Sequence, residues 1–215
     1  MINFFTTKNY LRIKSIILLY TLTIAYAMGG HFIMKRVSIF IDGNNFYHGL
    51  KYIYKDSKKF INFNFEKFCD FLANGNQIIN IFYYNACLDK NENMNKYNSQ
   101  QKFFKRLRKI PKFNLILCKL LKRKIKGKNE YYYVLKEDDI HMAVDMVEGA
   151  CENRFDISIL VSGDGDFVPA VKSAQKHNKI VENIYFKKSS SRSLKEICNK
   201  SIELTKDILD RFFDK

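Results

Sequence analysis

A short apolar run that ends in two aspartates constrains the fold more than any other part of the chain. Residues 155–161 are mainly apolar and rich in β-branched side chains, a pattern typical of a buried strand. Asp164 and Asp166 follow at once, each preceded by a glycine, and residues 168–176 then place apolar side chains at helical spacing. In parallel α/β sheets, sites lie beyond the carboxyl ends of the strands. The run therefore predicts a strand, a turn with a candidate site, and a helix.

A second segment has the same form. Residues 36–41 are mainly apolar, Asp42 follows them, and a helical pattern begins near residue 44. Because the carboxyl ends of parallel strands meet at one edge of a sheet, we expect Asp42 to lie near Asp164 and Asp166. Carboxylates this close repel one another unless a cation lies among them, and hard oxygen ligands suit Mg²⁺ or Mn²⁺. The alternative for Asp42 is a helix N-cap, the usual role of a lone aspartate after a strand.

Strand and helix patterns alternate along the chain from residue 36. Strands are expected at about 36–42, 77–87, 113–118, 156–162 and 179–186, with helices between them and two short helical pieces at the end. This alternation predicts an α/β fold with a mostly parallel sheet of about five strands. No GxGxxG motif or P-loop follows a strand, so neither a dinucleotide site nor a Walker-type phosphate site is expected.

The helix expected over residues 137–152 adds further acidic side chains. Asp138 and Asp139 lie in its first turn, where the positive end of the helix dipole favours negative charge. Asp139 shares helical spacing with the apolar stripe, so we expect it to lean toward the sheet. Asp138 and Asp145 lie on a more polar flank of the same helix.

The chain is strongly basic, with a formal net charge of +15. Such a chain is expected to bind polyanions, nucleic acid first and an acidic membrane surface second. The alternative is that a coding bias alone accounts for the many lysines. Five cysteines are widely separated, and none has zinc-site spacing, which indicates the reduced thiols of a cytoplasmic protein.

The densest basic run, residues 119–136, is expected to form a hairpin or extended arm that turns at Gly127. Its lysines offer phosphate contacts and its tyrosines offer stacking faces, the combination found in single-stranded nucleic-acid grooves. The alternative is an ordinary solvated hairpin. The side chains predicted to bind nucleic acid are Lys122, Arg123, Lys124, Tyr131 and Tyr132.

Residues 1–33 differ in kind from the rest. A few basic residues precede an uncharged, largely apolar stretch that ends near an Ala-x-Ala pattern, which is the form of a signal peptide. The alternative, which the cysteine pattern favours, is a start codon assigned too early, with one domain over residues 34–215. A genuine signal would instead make the protein exported or membrane-anchored.

Three motifs together resemble the NYN domain family, which includes the LabA-like proteins of the PIN-like nuclease superfamily. They are residues 40–45 (FIDGNN), 136–145 (KEDDIHMAVD) and 160–167 (LVSGDGDF), in the family's order and with suitable spacing. The resemblance covers about residues 34–205. It implies a Rossmann-like, PIN-type three-layer sandwich and an acidic pocket that binds Mg²⁺ or Mn²⁺, with RNA as the usual substrate.

The resemblance also assigns roles to individual residues. The residues that it implies are catalytic and metal-binding are Asp42, Asp139, Asp164 and Asp166. Supporting roles fall on Asn44, which would orient or contact substrate, on Asp145, the second aspartate of the helix, and on Ser162, beside the aspartate pair. Asn199 stands where the family often has an acidic residue, and it cannot serve as a carboxylate.

These observations predict a metal-dependent nuclease that hydrolyses phosphodiester bonds, foremost in single-stranded RNA, with DNA left open. The alternative is an RNA-binding regulatory module with a weak or vestigial pocket. A phosphatase of the same topology is disfavoured, because the Asp-x-Asp nucleophile motif is absent after the first strand. No stable membrane association of the domain is expected, and homo-oligomerisation is left open.

Overall fold

The protein is described from a computed structural model. The structure describes residues 33–213 except 56, 58, 59, 125 and 128–130, and for residues 133–136 it describes the backbone alone. Residues 1–32 lie outside the described part, so the expectations about the N-terminal extension stay predictions. Among the helices of the described residues, none has both the length and the apolar character needed to cross a membrane.

Strands and helices alternate through the described residues, as predicted. The strands are β1 (Arg36–Asp42), β2 (Gln77–Ala86), β3 (Phe113–Lys124), β4 (Tyr131–Lys136), β5 (Ile157–Val161), β6 (Ile180–Tyr185) and β7 (Lys200–Glu203). The helices are α1 (Gly43–Tyr54), α2 (Phe65–Ala73), α3 (Met94–Leu107), α4 (Asp138–Cys151), α5 (Val168–Lys176), α6 (Arg192–Ile197) and α7 (Lys206–Leu209). Short 3-10 turns lie at Phe60–Asn62, Gly165–Phe167, Lys187–Ser189 and Asp210–Phe212.

The seven strands of the described residues belong to one sheet, in the order β4-β3-β2-β1-β5-β6-β7. Every neighbouring pair is parallel except β3 and β4, which form an antiparallel hairpin. The predicted α/β fold with a mostly parallel sheet is therefore confirmed, although the sheet has seven strands rather than about five.

The two strands beyond the five expected, β4 and β7, have different origins. β4 is the return arm of the predicted hairpin, and it joins the sheet because β3 continues through Lys124 to pair with it. β7 spans four residues, Lys200–Glu203, in a segment predicted as short helical pieces. So short a strand carries too little periodicity to be recognised, and its pairing with β6 is a tertiary event.

The sheet is covered on both faces, which makes three layers. On one face α1, α2 and α3 enclose a core rich in aromatic rings, with Phe46 at its centre. On the other face α4, α5 and α6 pack over Phe40 and Leu160. Successive residues of β1 alternate between the two cores, and all but the first are buried. This burial explains the nearly continuous apolar run that predicted the strand.

The topology creates one switch point. The chain passes from β1 to β2 and β3 on one side, and later returns through β5 to pair with the other side of β1. Connections leave the carboxyl ends of β1 and β5 in opposite directions, which opens a crevice between them.

Candidate active site

The crevice beyond β1 and β5 is a cavity of about 530 Å³, which we call the acidic pocket. Its acidic side chains come from three segments: Asp42 at the end of β1, Asp138 and Asp139 at the start of α4, and Asp164 after β5. The other lining residues are Asn44, Asn45, His48, Gly49, Lys51, Tyr52, Lys188 and Ser189.

Asp42 is the buried member of the group, with 8% of its surface exposed. Its Oδ1 accepts a hydrogen bond from the backbone N–H of Asn45 at 2.8 Å, which caps α1. Its Oδ2 accepts from the hydroxyl of Ser162 at 3.0 Å. Burial raises its pKa to about 6, with smaller contributions from the charges of Asp139 and Asp138, although both hydrogen bonds oppose the rise. Asp42 is therefore both the predicted N-cap and a pocket carboxylate.

Ser162 joins the ends of the two central strands. Besides donating to Asp42, its Oγ accepts from the backbone N–H of Asp164 at 3.2 Å. Its backbone carbonyl accepts from Nδ2 of Asn183 on β6 at 2.7 Å, and the residue is 1% exposed. The hydroxyl therefore holds a buried carboxylate and the first aspartate of the pair in one arrangement.

The carboxylates of α4 feel the same negative field. Partial burial, followed by the charges of Asp138, Asp164 and Asp166, raises the pKa of Asp139 to about 6. Burial and the charge of Asp164 also raise the pKa of Asp138. No ion pair with a lysine or arginine joins any of the four lining aspartates within the described part of the chain. The pocket therefore concentrates negative charge that no direct ion pair among the described residues offsets.

Two of the predicted acidic site residues lie outside the pocket lining. Asp166 is exposed on a 3-10 turn, and its backbone N–H donates to Oδ1 of Asp164 at 3.0 Å. Asp145 accepts a hydrogen bond from the hydroxyl of Tyr84 at 2.7 Å. Burial and this bond raise the pKa of Tyr84 well above its usual range. Asp145 thus ties α4 to β2, while Asp166 acts on the pocket through its charge and its backbone.

Asn44 and Asn199 differ in position. Asn44 is exposed in the first turn of α1 and lines the pocket, where a substrate can reach it. Asn199 lies outside the lining, and its Oδ1 accepts from the backbone N–H of Val181 at 2.8 Å. The amide oxygen thus anchors the start of β6, a role that needs no carboxylate.

Several lining residues were not predicted. His48, Lys51 and Tyr52 are exposed on α1, at helical spacing from Asn44, so a polar stripe opposite the apolar face was available as a signal. Asp138 was assigned to a polar flank, yet it faces the pocket.

Lys188 and Ser189 had no comparable signal, because they follow β6 and reach the pocket only through the fold. The hydroxyl of Ser189 donates to Oδ1 of Asn45 at 3.0 Å. Gly163 makes this approach feasible, since a Cβ there would lie 1.8 Å from the carbonyl oxygen of Ser189. Nζ of Lys188 lies 4.9 Å from the ring centroid of Tyr52.

The donor chemistry of the pocket fits a hard divalent cation. Carboxylate oxygens are the ligands that Mg²⁺ and Mn²⁺ prefer. Residues 33–213, with the gaps given above, contain no group of three or more His, Cys, Asp or Glu side chains arranged to hold a metal. Mg²⁺ usually keeps several waters and takes one or two protein carboxylates together with substrate phosphates. Pocket carboxylates that are spread over three segments are therefore sufficient for such an ion.

The predicted basic hairpin is present. Lys124 pairs with Tyr131 and Arg123 with Tyr132 in an antiparallel register, and both tyrosines are about half exposed. Nζ of Lys122 lies 4.7 Å from the ring centroid of Tyr131. β4 ends at Lys136, two residues before α4 begins at Asp138. The base of the hairpin is therefore close in sequence to the acidic pocket.

Comparisons with known proteins agree with this architecture. A family model described as the NYN domain matches residues 36–205. A crystal structure of a protein of unknown function from Vibrio parahaemolyticus is similar, with a TM-score of 0.62 and 22% sequence identity over 83% of this chain and 98% of that one. At this identity the likeness concerns the fold alone. No curated protein matches the chain.

Proposed function

The chain belongs to the NYN domain family of nuclease-like, PIN-like domains, and on this premise we propose that it is a metal-dependent nuclease acting on single-stranded RNA. One observation carries the proposal. Three segments that are distant in sequence bring Asp42, Asp139 and Asp164 to one cavity at the switch point of the sheet. The raised pKa values of Asp42 and Asp139, to about 6, reflect burial together with repulsion from neighbouring aspartates, which a bound cation would relieve.

Asp42, Asp139 and Asp164 would hold Mg²⁺ or Mn²⁺, directly or through waters. When bound, such an ion lowers the pKa of a coordinated water and stabilises the negative charge that develops on the phosphate. Ser162 keeps the Asp42 carboxylate turned to the pocket by donating to its Oδ2. The backbone N–H of Asp166 orients Asp164 in the same way.

Residues at the mouth would bind the substrate. Lys51 and Lys188 line the pocket beside the carboxylates, and each offers a cation to a phosphate. Asn44 and His48 offer polar groups to the sugar and the leaving oxygen. The basic hairpin would hold the strand farther along, where its exposed tyrosines stack on unpaired bases. These groups contact the backbone and base faces, so little sequence preference is expected.

The test is cleavage of labelled single-stranded RNA and single-stranded DNA in Mn²⁺ and in EDTA, with Asp164→Asn as the control protein. We expect cleavage of RNA that requires the metal and disappears in the variant. Preferential cleavage of DNA would change the substrate, and equal cleavage in EDTA would overturn the metal dependence.

The second candidate function is an RNA-binding regulatory module that does not cut. It is favoured by the absence, among the described residues, of a preassembled group of three metal-ligating side chains. Tight RNA binding without cleavage in Mn²⁺ would support this candidate instead.

A further inference from the structure

A second cavity, of about 720 Å³, adjoins the acidic pocket. The two share Asn44, His48 and Lys51, so α1 is their common wall. The residues that line only the second cavity include Tyr47, Lys55, Phe60, Lys96, Ser99 and Phe103.

The chemistry of the second cavity is opposite to that of the acidic pocket. Its floor is aromatic, with Phe103 and Phe104 buried and Phe60 half-buried. Lysines lie at its rim, and no acidic side chain lines it within the described part of the chain. A ligand that suits this cavity therefore has an apolar, flat portion and a negatively charged portion.

Tyr47 supplies a stacking face at the entrance. Its side chain is 40% exposed, and its ring stands edge-on to Phe60 with the centroids 5.4 Å apart. Edge-on packing against Phe60 holds the ring while leaving a π-face for another planar group. On α3, Asn95 and Ser99 are exposed and face the same cavity, where they offer hydrogen-bonding groups to the edge of a base.

The outward face of α1 connects the two cavities. From Asn44 to Lys51 the helix rises roughly 10 Å, with His48 between them and no acidic residue in its first turn. A strand that follows this face meets carboxylates at one end and lysines with aromatic rings at the other. Charge complementarity along α1 thus matches a polyphosphate chain that carries planar bases.

We propose that the second cavity binds one unstacked nucleobase of the strand whose phosphodiester enters the acidic pocket. The base stacks on Tyr47, and Lys51, Lys55 and Lys96 contact the neighbouring phosphates. The inference rests on the proposed nuclease function for the identity of the strand, and it adds a subsite that the acidic pocket does not contain. The base that occupies the second cavity then contributes to RNA affinity independently of the basic hairpin.

The experiment measures binding of fluorescein-labelled oligouridine RNA, about eight nucleotides long, by fluorescence anisotropy. The full chain carries Asp164→Asn so that the RNA stays intact. A set of the same RNA has one abasic site, at a different position in each member. We expect one position, or two adjacent ones, at which loss of the base weakens binding about tenfold, since base–aromatic stacking has this magnitude.

Two substitutions then test whether that position lies in the second cavity. Tyr47→Ala removes the stacking face, and Ser99→Trp fills the cavity from an exposed helix position. Each should abolish the penalty at the sensitive position and weaken intact RNA about tenfold. Tyr47→Phe keeps the ring and should restore the penalty. Asn98→Trp places the same bulk on an exposed neighbour outside the lining and should change nothing.

The outcomes separate this inference from the nuclease proposal. The subsite is overturned if no position of the abasic series is sensitive. It is also overturned if the loss of affinity at the sensitive position persists in both Tyr47→Ala and Ser99→Trp. Cleavage of the intact RNA by the wild-type chain in Mn²⁺ is measured in parallel. Absence of cleavage together with a sensitive position overturns the nuclease proposal and leaves the base subsite standing. Free uridine monophosphate is also tested as a competitor of the RNA. If it displaces the RNA from the Tyr47 protein but not from Tyr47→Ala, and the abasic series shows no sensitive position, the cavity binds a free nucleotide and the strand proposal is overturned.

Discussion

The acidic pocket and the basic hairpin are built in opposite ways. The pocket gathers Asp42, Asp139 and Asp164 from three separate segments around the switch point of the sheet. The hairpin is one continuous stretch, residues 119–136, in which Arg123 pairs with Tyr132 and Lys124 with Tyr131 across the turn. Burial raises the pKa values of three pocket carboxylates, whereas the described basic side chains near the hairpin tip are exposed.

This difference teaches how each region responds to change. In the pocket, charges share a partly desolvated volume, so removal of one alters the others and the effects are large and interdependent. On the hairpin, charges stand in water and act through screened, nearly additive contacts with a polyanion. Substitutions should therefore give steep losses in the pocket and graded losses on the hairpin.

Asp164→Asn tests the pocket most directly. The amide keeps the shape and the capping acceptor but removes a charge, so we expect cleavage to fall by more than the roughly 10- to 100-fold that loss of an outer-shell partner costs. The rise in melting temperature on adding Mn²⁺ should also shrink, because a ligand stabilises the native state by mass action. The measurements are initial cleavage rates and calorimetric melts with EDTA or Mn²⁺.

Asp166→Asn is the matched control, because Asp166 lies two residues away, is exposed and is not part of the pocket lining. It should keep most of the activity and most of the metal-induced shift. Equal losses of activity and of metal response in both variants would instead give Asp166 the catalytic and metal-binding role that the family resemblance implies.

Ser162→Ala should lower activity by roughly 10- to 100-fold, since Ser162 orients a pocket carboxylate. It should also cost about 1–3 kcal/mol of stability, because the buried carboxylate of Asp42 loses a hydrogen-bond donor. The control is Ser158→Ala on β5, the strand that Ser162 directly follows. The buried hydroxyl of Ser158 has no hydrogen-bond partner among the described residues. Equal losses in the two variants, in rate and in chemical denaturation, would contradict the role assigned to Ser162.

The pH dependence of stability without metal tests the charge on Asp42. Its pKa in the folded protein is about 6 and its ordinary value is 3.8, so the native state holds more protons than the unfolded state between these limits. The free energy of unfolding should therefore fall as the pH rises from 4 to 7, by on the order of 2–3 kcal/mol for this group.

Asp42→Asn should remove that fall and leave a flatter profile, measured by denaturation in EDTA across the same window. The amide oxygen can still accept from Asn45 and preserve the helix cap. A variant whose profile matches that of the wild type would show that the carboxylate of Asp42 titrates as it does in the unfolded chain.

Neutralising Lys122, Arg123 and Lys124 together should produce the most modest change. RNA affinity should fall and the slope of log K against log salt should flatten by up to about two units, because each phosphate contact contributes somewhat under one. Cleavage at saturating RNA should be unchanged. Neutralising Lys172 and Lys176 on α5 is the control. A slope that changes equally in both proteins would show that the RNA does not bind along the basic hairpin.

Much of the fold followed from local patterns. The strands that flank the switch point, β1 and β5, were predicted within about a residue, because burial on both faces produces apolar runs bounded by glycine and aspartate. The hairpin and its turn at Gly127 were predicted from one basic segment, and Gly127 has a positive φ of 83°. β7 was not predicted, because four residues carry no usable period and its register depends on β6.

The amino-acid sequence by itself determined that aspartates follow two parallel strands and lie in the first turn of helix α4. It also determined that those after the two strands lie at one edge of the sheet. Only the tertiary structure decided which of them share the pocket. Asp138 faces it and Asp166 does not, because the helical and 3-10 turns that carry them are oriented by packing against other elements. Lys188 and Ser189 join the pocket for the same reason, since the approach of their loop to Gly163 depends on how β6 is placed in the sheet.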